Sequence, residues 1–563
     1  MHSNTSRRTF VKGLAAGGLL GGLGLWRTPA WALTRPGEPQ MLTGSDFDLF
    51  IGETPVNITG NPRTAMTING GIPGPLLRWR EGDTVTLRVK NRLKETTSIH
   101  WHGILLPANM DGVPGLSFHG IEPGGLYAYQ FQVRQNGTYW YHSHSGLQEQ
   151  SGVYGPLVID AKEPEPFEYD RDYVVMLTDW TDGDAASLMK TLKKQSDYYN
   201  YNKRTVGDFI DDVSENGWAS TVADRKMWAE MKMTPTDLAD VSGATYTYLM
   251  NGQAPDSNWT GVFRPGEKLR LRFINGSAMT YFDVRIPGLK MTVVAADGLY
   301  VKPVSVDEFR IAVAETFDVI VEPTQDAYTV FAQSMDRTGH ARGTLAMKAG
   351  LSAPVPALDP RPLVTMDDMG MGWMDHGSMA GMDHSAMAGM QAHPATENTN
   401  PLVDMQAMST SPKLDDPGLG LRNNGRRVLT YSDLRSTFED PDGRDPSRTL
   451  ELHLTGHMEK FAWSFNGVKF SDAEPLRLKY GERVRIVLVN DTMMTHPIHL
   501  HGMWSDLEDE NGQFMVRKHT IDMPPGSRRS YRVTADALGR WAYHCHLLYH
   551  MEMGMFREVR VEE

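Results

Sequence analysis

Cysteine is almost missing from this chain of 563 residues: only Cys545 is present, so no intrachain disulfide can form. A lone thiol by default packs as a small buried hydrophobe, and a chain without disulfides suggests a reducing compartment. Long apolar runs are missing too. The stretch 13–26 falls short of the roughly 20 residues that carry a helix across a bilayer. No basic excess exists either: the net charge is −13, which disfavours nucleic-acid partners because these require basic patches. The glycine-rich "GGLLGGLG" follows no strand, which excludes a phosphate-binding loop.

What stands at the N-terminus argues against the reducing compartment. "SRRTFVKGLAAGGLLGGLGLWRTPAWA" carries paired Arg7 and Arg8, the short apolar run, and Ala30-Trp31-Ala32 as a small-residue cleavage pattern. This is the layout of a bacterial twin-arginine signal over 1–32, with the mature chain starting near Leu33 in the periplasm. The twin-arginine export machinery is then an expected partner, and the mature chain is not expected to insert into a membrane. Without the four basic residues of the signal the charge becomes −17. Such export moves folded proteins, often with a cofactor, so the unpaired thiol is expected to serve chemistry.

A chain of this length exceeds one core, and about 150 residues per domain suggests three or four domains. A repeat supports three. "EGDTVTLRVKN" (81–91), "PGEKLRLRFIN" (265–275) and "YGERVRIVLVN" (480–490) each run from Gly through alternating apolar and polar positions to Asn nine residues later. Period-two alternation marks a half-buried strand, and each copy follows an Asn-Gly hairpin signal: Asn69-Gly70, Asn251-Gly252 and Asn466-Gly467. The expected fold is all-β, three related β-sandwiches. The segments read as 40–165, 166–350 with a helix-like insertion at 185–241, a Met/His-rich linker at 351–425, and 426–563.

Beyond the repeat the copies diverge. Nine and eleven positions after its Asn, the first has His100 and His102, the third has His499 and His501, and the second has Val284 and Ile286. Residues i and i+2 of a strand share a face, so each His-x-His presents two imidazoles together. A second pair follows in "GTYWYHSHSG", with His142 and His144, and "GRWAYHCHLL", with His544 and His546. Ser143 occupies the position of Cys545, while Thr97, Gln148 and Val153 occupy those of His496, His550 and Met555. Only the third copy holds this second set. Two imidazoles, a thiolate and a weak axial thioether make a blue-copper electron-transfer site; zinc also takes Cys and His, but structural zinc sites rarely use a thioether. Eight other histidines exceed what one metal uses. Because side chains alternate, Cys545 points opposite to His544 and His546, which wires the thiolate to the histidine cluster.

The four segments HxHG, HxH, HxxHxH and HCHxxxHxxxxM resemble the multicopper oxidase family of the three-cupredoxin-domain type, over most of the mature chain. The resemblance implies four coppers: a type 1 copper accepting single electrons, and a trinuclear cluster reducing dioxygen to water. By position, it implies His496, Cys545, His550 and Met555 for type 1 and His100 and His499 for type 2. His102, His142, His144, His501, His544 and His546 then fall to the type 3 pair, with the cluster between the first and third domains. Asp111 matches the family's acidic residue near the cluster, although an Asp before Gly112 also suits a turn. Several relatives carry an acid directly after the position of His550; here Met551 stands there, followed by Glu552.

Methionine is abundant, 33 in all, and ten lie in 366–408. Two elements repeat there, with Met374, His376 and Met379 in one and Met382, His384 and Met387 in the other, as candidate auxiliary, labile copper ligands. Soft thioethers prefer Cu(I); the bland reading is a flexible linker, and both can hold. Met494, two residues before His496, and Met366 match positions that hold substrate Cu(I) in cuprous oxidases of the family, with Asp367, Asp368 or Asp491 as further carboxylates. Met494 also suits a core strand. The whole is similar to the CopA-type periplasmic copper-resistance oxidases, which implies oxidation of Cu(I), or of a small phenolic reductant, by dioxygen. Rival readings are a laccase-like phenol oxidase and a periplasmic copper store. A monomer and a periplasmic copper-handling partner protein are expected.

Overall fold

The computed structural model describes residues 40–371 and 391–563. The signal expected at 1–32 and the auxiliary positions Met374, His376, Met379, Met382, His384 and Met387 therefore lie outside the described residues. Each Asn-Gly pair turns a hairpin. Asn69, Asn251 and Asn466 take φ of 53°, 51° and 52°, a left-handed conformation that Asn tolerates. Their side-chain oxygens accept from the backbone N–H of Phe50, Met176 and His453, at 2.8, 2.7 and 2.7 Å. The Asn that closes each repeat is equally consistent. Asn91, Asn275 and Asn490 are fully buried, and each donates from Nδ2 to two carbonyls across the following loop. The loop that leads into the His-x-His strand is thus held the same way three times.

These units build three sandwiches around a shared apolar interior. In the first, four strands ordered Arg63–Ile68, Asp46–Val56, Thr84–Asn91 and Leu126–Gln132 pack with five strands that end on Gly137–His142 and His100–His102. The second and third each join a six-stranded sheet to a five-stranded one. In all three the repeat strand runs parallel to the first long strand of its domain: Asp46–Val56 beside Thr84–Asn91, Arg171–Thr181 beside Leu269–Asn275, Arg448–His457 beside Arg483–Asn490. The fold is that of three cupredoxin-like sandwiches. In the third, Gly539–Cys545 pairs antiparallel with His496–Leu500, setting His499 opposite His544 and Ile498 opposite Cys545.

The insertion forms three helices, Ala185–Lys194, Val206–Asn216 and Trp218–Met231. Asp184 caps the first, and a Thr205/Asp208 capping box starts the second. Met227 and Met231 are only partly buried, and Trp228 is the anchor.

The first two domains meet where two glycines oppose each other. A Cβ on Gly137 would overlap the Gly298 carbonyl, and one on Gly298, at φ +82°, would overlap the Tyr139 ring. Gly298→Ala is expected to cost about 2 kcal/mol or more through strain and overpacking. The matched control Gly266→Ala, at φ +84° with open space around it, should cost about 1 kcal/mol. Thermal unfolding of the two variants side by side checks this, and equal midpoints would contradict it.

Candidate metal centres

The loop, strand and helix of the third domain bring the thiolate set together. His496 opens its strand, Cys545 ends Gly539–Cys545, and His550 lies on the short helix Leu548–Glu552. Cys545 Sγ is 3.5 Å from His496 Nδ1 and 3.9 Å from His550 Nδ1, and the two nitrogens are 3.1 Å apart. Met555 is fully buried and its carbonyl accepts from Cys545 N at 3.1 Å. The outer nitrogens are engaged: His496 Nε2 meets Thr492 Oγ1 at 2.7 Å, and His550 Nε2 donates to Asp240 Oδ2 at 2.7 Å. Trp463 stacks on His550 with centroids 3.9 Å apart. Both Nδ1 atoms are thereby turned toward the sulfur.

The first domain shows what the same frame does without ligands. Gln148 Oε1 accepts from Thr97 Oγ1 at 2.6 Å and from Ser143 Oγ at 2.9 Å. The three positions equivalent to His496, Cys545 and His550 are closed by hydrogen bonds among themselves. No donor is left for a metal.

Across Cys545 the other histidines converge from the first and third domains. His544 Nε2 lies 3.3 Å from His144 Nε2 and 3.0 Å from His501 Nε2; His100 stacks on His501 and His102 on His499, each pair with centroids 3.8 Å apart. His142 and His546 lie 5.0 Å apart by ring centroid. Asp111 joins the domains: its Oδ2 accepts from His501 Nδ1 at 2.8 Å, and its backbone O from His100 Nδ1 at 2.8 Å.

Buried nitrogens without a partner test whether copper fits. His100 Nε2, His142 Nε2, His499 Nε2 and both nitrogens of His102 and His546 are buried and make no hydrogen bond. A protein seldom tolerates so many unsatisfied polar atoms in one place. Burial holds His102, His142, His144, His499, His501 and His546 well below the usual imidazole range, and His544 is pushed down to about 3, so these rings are neutral with lone pairs free. Burial likewise pushes the Cys545 thiol up, so metal binding there must release a proton. Imidazole and thiolate are donors that copper takes. The residues fit.

Several contacts were beyond sequence reasoning. Glu149 Oε2 sits 2.6 Å from His142 Nδ1, in a carboxyl that burial raises well above its usual range. His519 is a ninth histidine beside the eight of the cluster, buried and 4.7 Å by centroid from His102, and its carbonyl accepts from His499 Nδ1 at 2.6 Å. Asp297 and Asp240 come from the middle domain, whose own copy has no histidine pair; Asp297 Oδ2 accepts from His519 N at 3.1 Å. No spacing signal announced any of them. Of the residues expected near substrate, Met494 is 1% exposed, Met366 is half-buried and Asp367 is exposed. Asp368 pairs with Arg422 at 2.6 Å, and Asp491 lies 2.6 Å from His453 Nδ1.

Comparison with known proteins bears on the family and the fold. The multicopper oxidase family models match residues 51–164, 171–350 and 443–563. The chain is 78% identical to a copper resistance protein A homolog of Pseudomonas syringae pv. tomato, covering all of both chains. It is 72% identical to copper resistance protein A of Escherichia coli over 99% of each. Among solved structures, Fet3p, a multicopper oxidase that functions in iron import, superposes with a TM-score of 0.65 at 19% identity over 92% of this chain and 91% of its own.

Proposed function

This chain belongs to the multicopper oxidase family, and from that premise we propose that it is a periplasmic copper-resistance enzyme that oxidises Cu(I) to Cu(II). Four Cu(I), one dioxygen and four protons give four Cu(II) and two waters. Bound copper supplies the redox chemistry: single-electron transfer at the thiolate site and four-electron reduction at the histidine cluster. His496, Cys545, His550 and Met555 would hold the first ion. His100 and His499 would hold a second, and His102, His142, His144, His501, His544 and His546 a pair. The peptide through Cys545 to His544 and His546 is a covalent path between the two centres. Thr492 and Asp240 fix the ring orientation of the type 1 histidines, and Asp111 and Glu149 keep carboxyls on cluster histidines, where protons are consumed.

The observation that carries the Cu(I) reading is a cavity of about 350 Å³ lined by Met233, Met458, Asp197, Asp237 and Glu459 together with Lys194 and Lys232, the latter paired to Glu459 at 2.6 Å. Two of its lining residues, Asp237 and Met458, neighbour residues that contact His550. Asp237 interacts electrostatically with Asp240, and Phe461, whose N–H bonds Met458 O, contacts the His550 ring with centroids 5.9 Å apart. Thioethers with carboxylates suit a small soft cation better than a phenol ring. Export by the twin-arginine machinery belongs to the proposal; no helix among the described residues is long and apolar enough to cross a membrane.

Oxygen uptake by copper-loaded protein, with Cu(I) or a phenol as sole reductant, tests the reading. Cu(I) should give the higher kcat/KM. Asp240→Asn should lower it about tenfold or more and weaken or shift the thiolate–copper absorption, because His550 loses the carboxylate that orients its ring. A higher kcat/KM for the phenol would move the assignment to a laccase-like oxidase.

A further inference from the structure

A third group of ligand-type side chains lies outside both centres. His393, Glu397, His453 and Asp491 place their donor atoms within 4.8 Å of one another. Glu397, His453 and Asp491 are at most 3% exposed, and His393 is the one open edge. His393 Nδ1 is 3.3 Å from Glu397 Oε2 and 3.2 Å from Asp491 Oδ2, and His453 Nδ1 is 2.6 Å from Asp491 Oδ2. Glu397 Oε1 is buried without a hydrogen-bond partner, 3.6 Å from His453 Nδ1. We infer that these four residues form a separate site for a divalent cation, Cu(II) by preference.

Both imidazoles are oriented for it. His393 Nε2 donates to the Ala407 carbonyl at 3.1 Å, and His453 Nε2 faces Glu451 Oε1 at 3.3 Å. With Nε2–H directed outward, each Nδ1 faces the carboxylates at the centre, where a bound cation would take its lone pair in place of the proton it shares with them, the arrangement that outer partners impose on metal-binding histidines. The carboxylates are held too: Gln406 Nε2 donates to Glu397 Oε2 at 3.0 Å, and Ala407 N to Asp491 Oδ1 at 2.8 Å. Two imidazoles and two carboxylates contain no thioether, so the set suits a divalent ion better than Cu(I), and nitrogen and oxygen donors in general bind Cu(II) more tightly than Zn(II). One divalent ion balances the two carboxylates with both rings neutral.

The location links the site to its surroundings. Asp491 precedes Thr492, the partner of His496 Nε2. Gly370 O and Gln391 N, which flank 372–390, both bond the backbone of Met408. The site stands between the foot of the methionine-rich segment and the type 1 loop. That its donors match the Cu(II) product of the proposed reaction rests on the cuprous-oxidase reading; binding itself does not.

The competing state is a metal-free ion-pair cluster with both imidazoles protonated. Zn(II) and Cu(II) titrations of the copper-loaded mature protein, with metal analysis, separate the two. The wild type should take up one more divalent ion per chain than Glu397→Gln or His453→Gln, or bind it about 10- to 100-fold more tightly, with the thiolate–copper absorption unchanged. Equal stoichiometry and affinity in all three proteins would overturn the site. Anomalous diffraction from wild-type crystals soaked in Zn(II) needs no variant: a peak among the four side chains supports the inference, and none refutes it. Neither measurement depends on turnover, so a failure of the Cu(I) reading leaves a distinct signature in oxygen uptake.

Discussion

Replacing Cys545 by serine is expected to remove the intense thiolate–copper absorption and reduce Cu(I)-driven oxygen uptake to the autoxidation background. The substitution changes one atom at a fully buried position, so the fold should persist. What disappears is the soft donor 3.5 Å from His496 Nδ1 and 3.9 Å from His550 Nδ1. The first domain already carries serine there, and Ser143 Oγ spends its proton on Gln148. Serine cannot become an anion at neutral pH as a metal-bound cysteine does, so the site loses its electronic link to His544 and His546. Spectra and oxygen uptake on the same preparation check both halves. Uptake that persists above background would show that electrons reach the cluster by another route.

Asp111→Asn is expected to lower turnover or copper retention by about 10- to 100-fold while the thiolate–copper absorption stays as in the wild type. The Asp111 carboxylate accepts from His501 Nδ1 at 2.8 Å while its backbone carbonyl accepts from His100 Nδ1 at 2.8 Å, so the side chain orients the histidine of the third domain and the main chain that of the first, with Oδ1 3.3 Å from His100 Nδ1. The amide keeps the shape but loses the charge, and its NH2 would oppose one imidazole N–H. A buried donor left unpaired costs about 1–3 kcal/mol. The thiolate site lies on the opposite face of Cys545 and should not respond. Metal content after dialysis, read with oxygen uptake, separates lost copper from slower chemistry at full occupancy. Wild-type values for both would reduce Asp111 to the turn residue that its place before Gly112 also suits.

Most of the fold and the ligands proposed for the two centres were legible in the sequence because they are local. The run from Gly to Asn over nine residues is a strand with its loop clamp, and the physics that selects Asn91 selects Asn275 and Asn490 in turn: one buried amide must satisfy two carbonyls of a loop. His-x-His and His-Cys-His are readable because a strand alternates faces. The insertion was readable as helical, but what it is for was not.

Asp240 shows why. It lies 310 positions from His550, and only the docking of the second domain against the third places its carboxylate on Nε2. Asp297 beneath His519 follows the same rule, whereas Asp491 meets His453 because the strand of His453 pairs, within one sheet of the third domain, with the strand that Asp491 directly follows. Spacing along the chain dictated which side chains share a face, and so the donors of each proposed centre. Which carboxylates meet those donors is a matter of rigid bodies meeting, and distances between bodies are set by packed surfaces that no short-range pattern encodes.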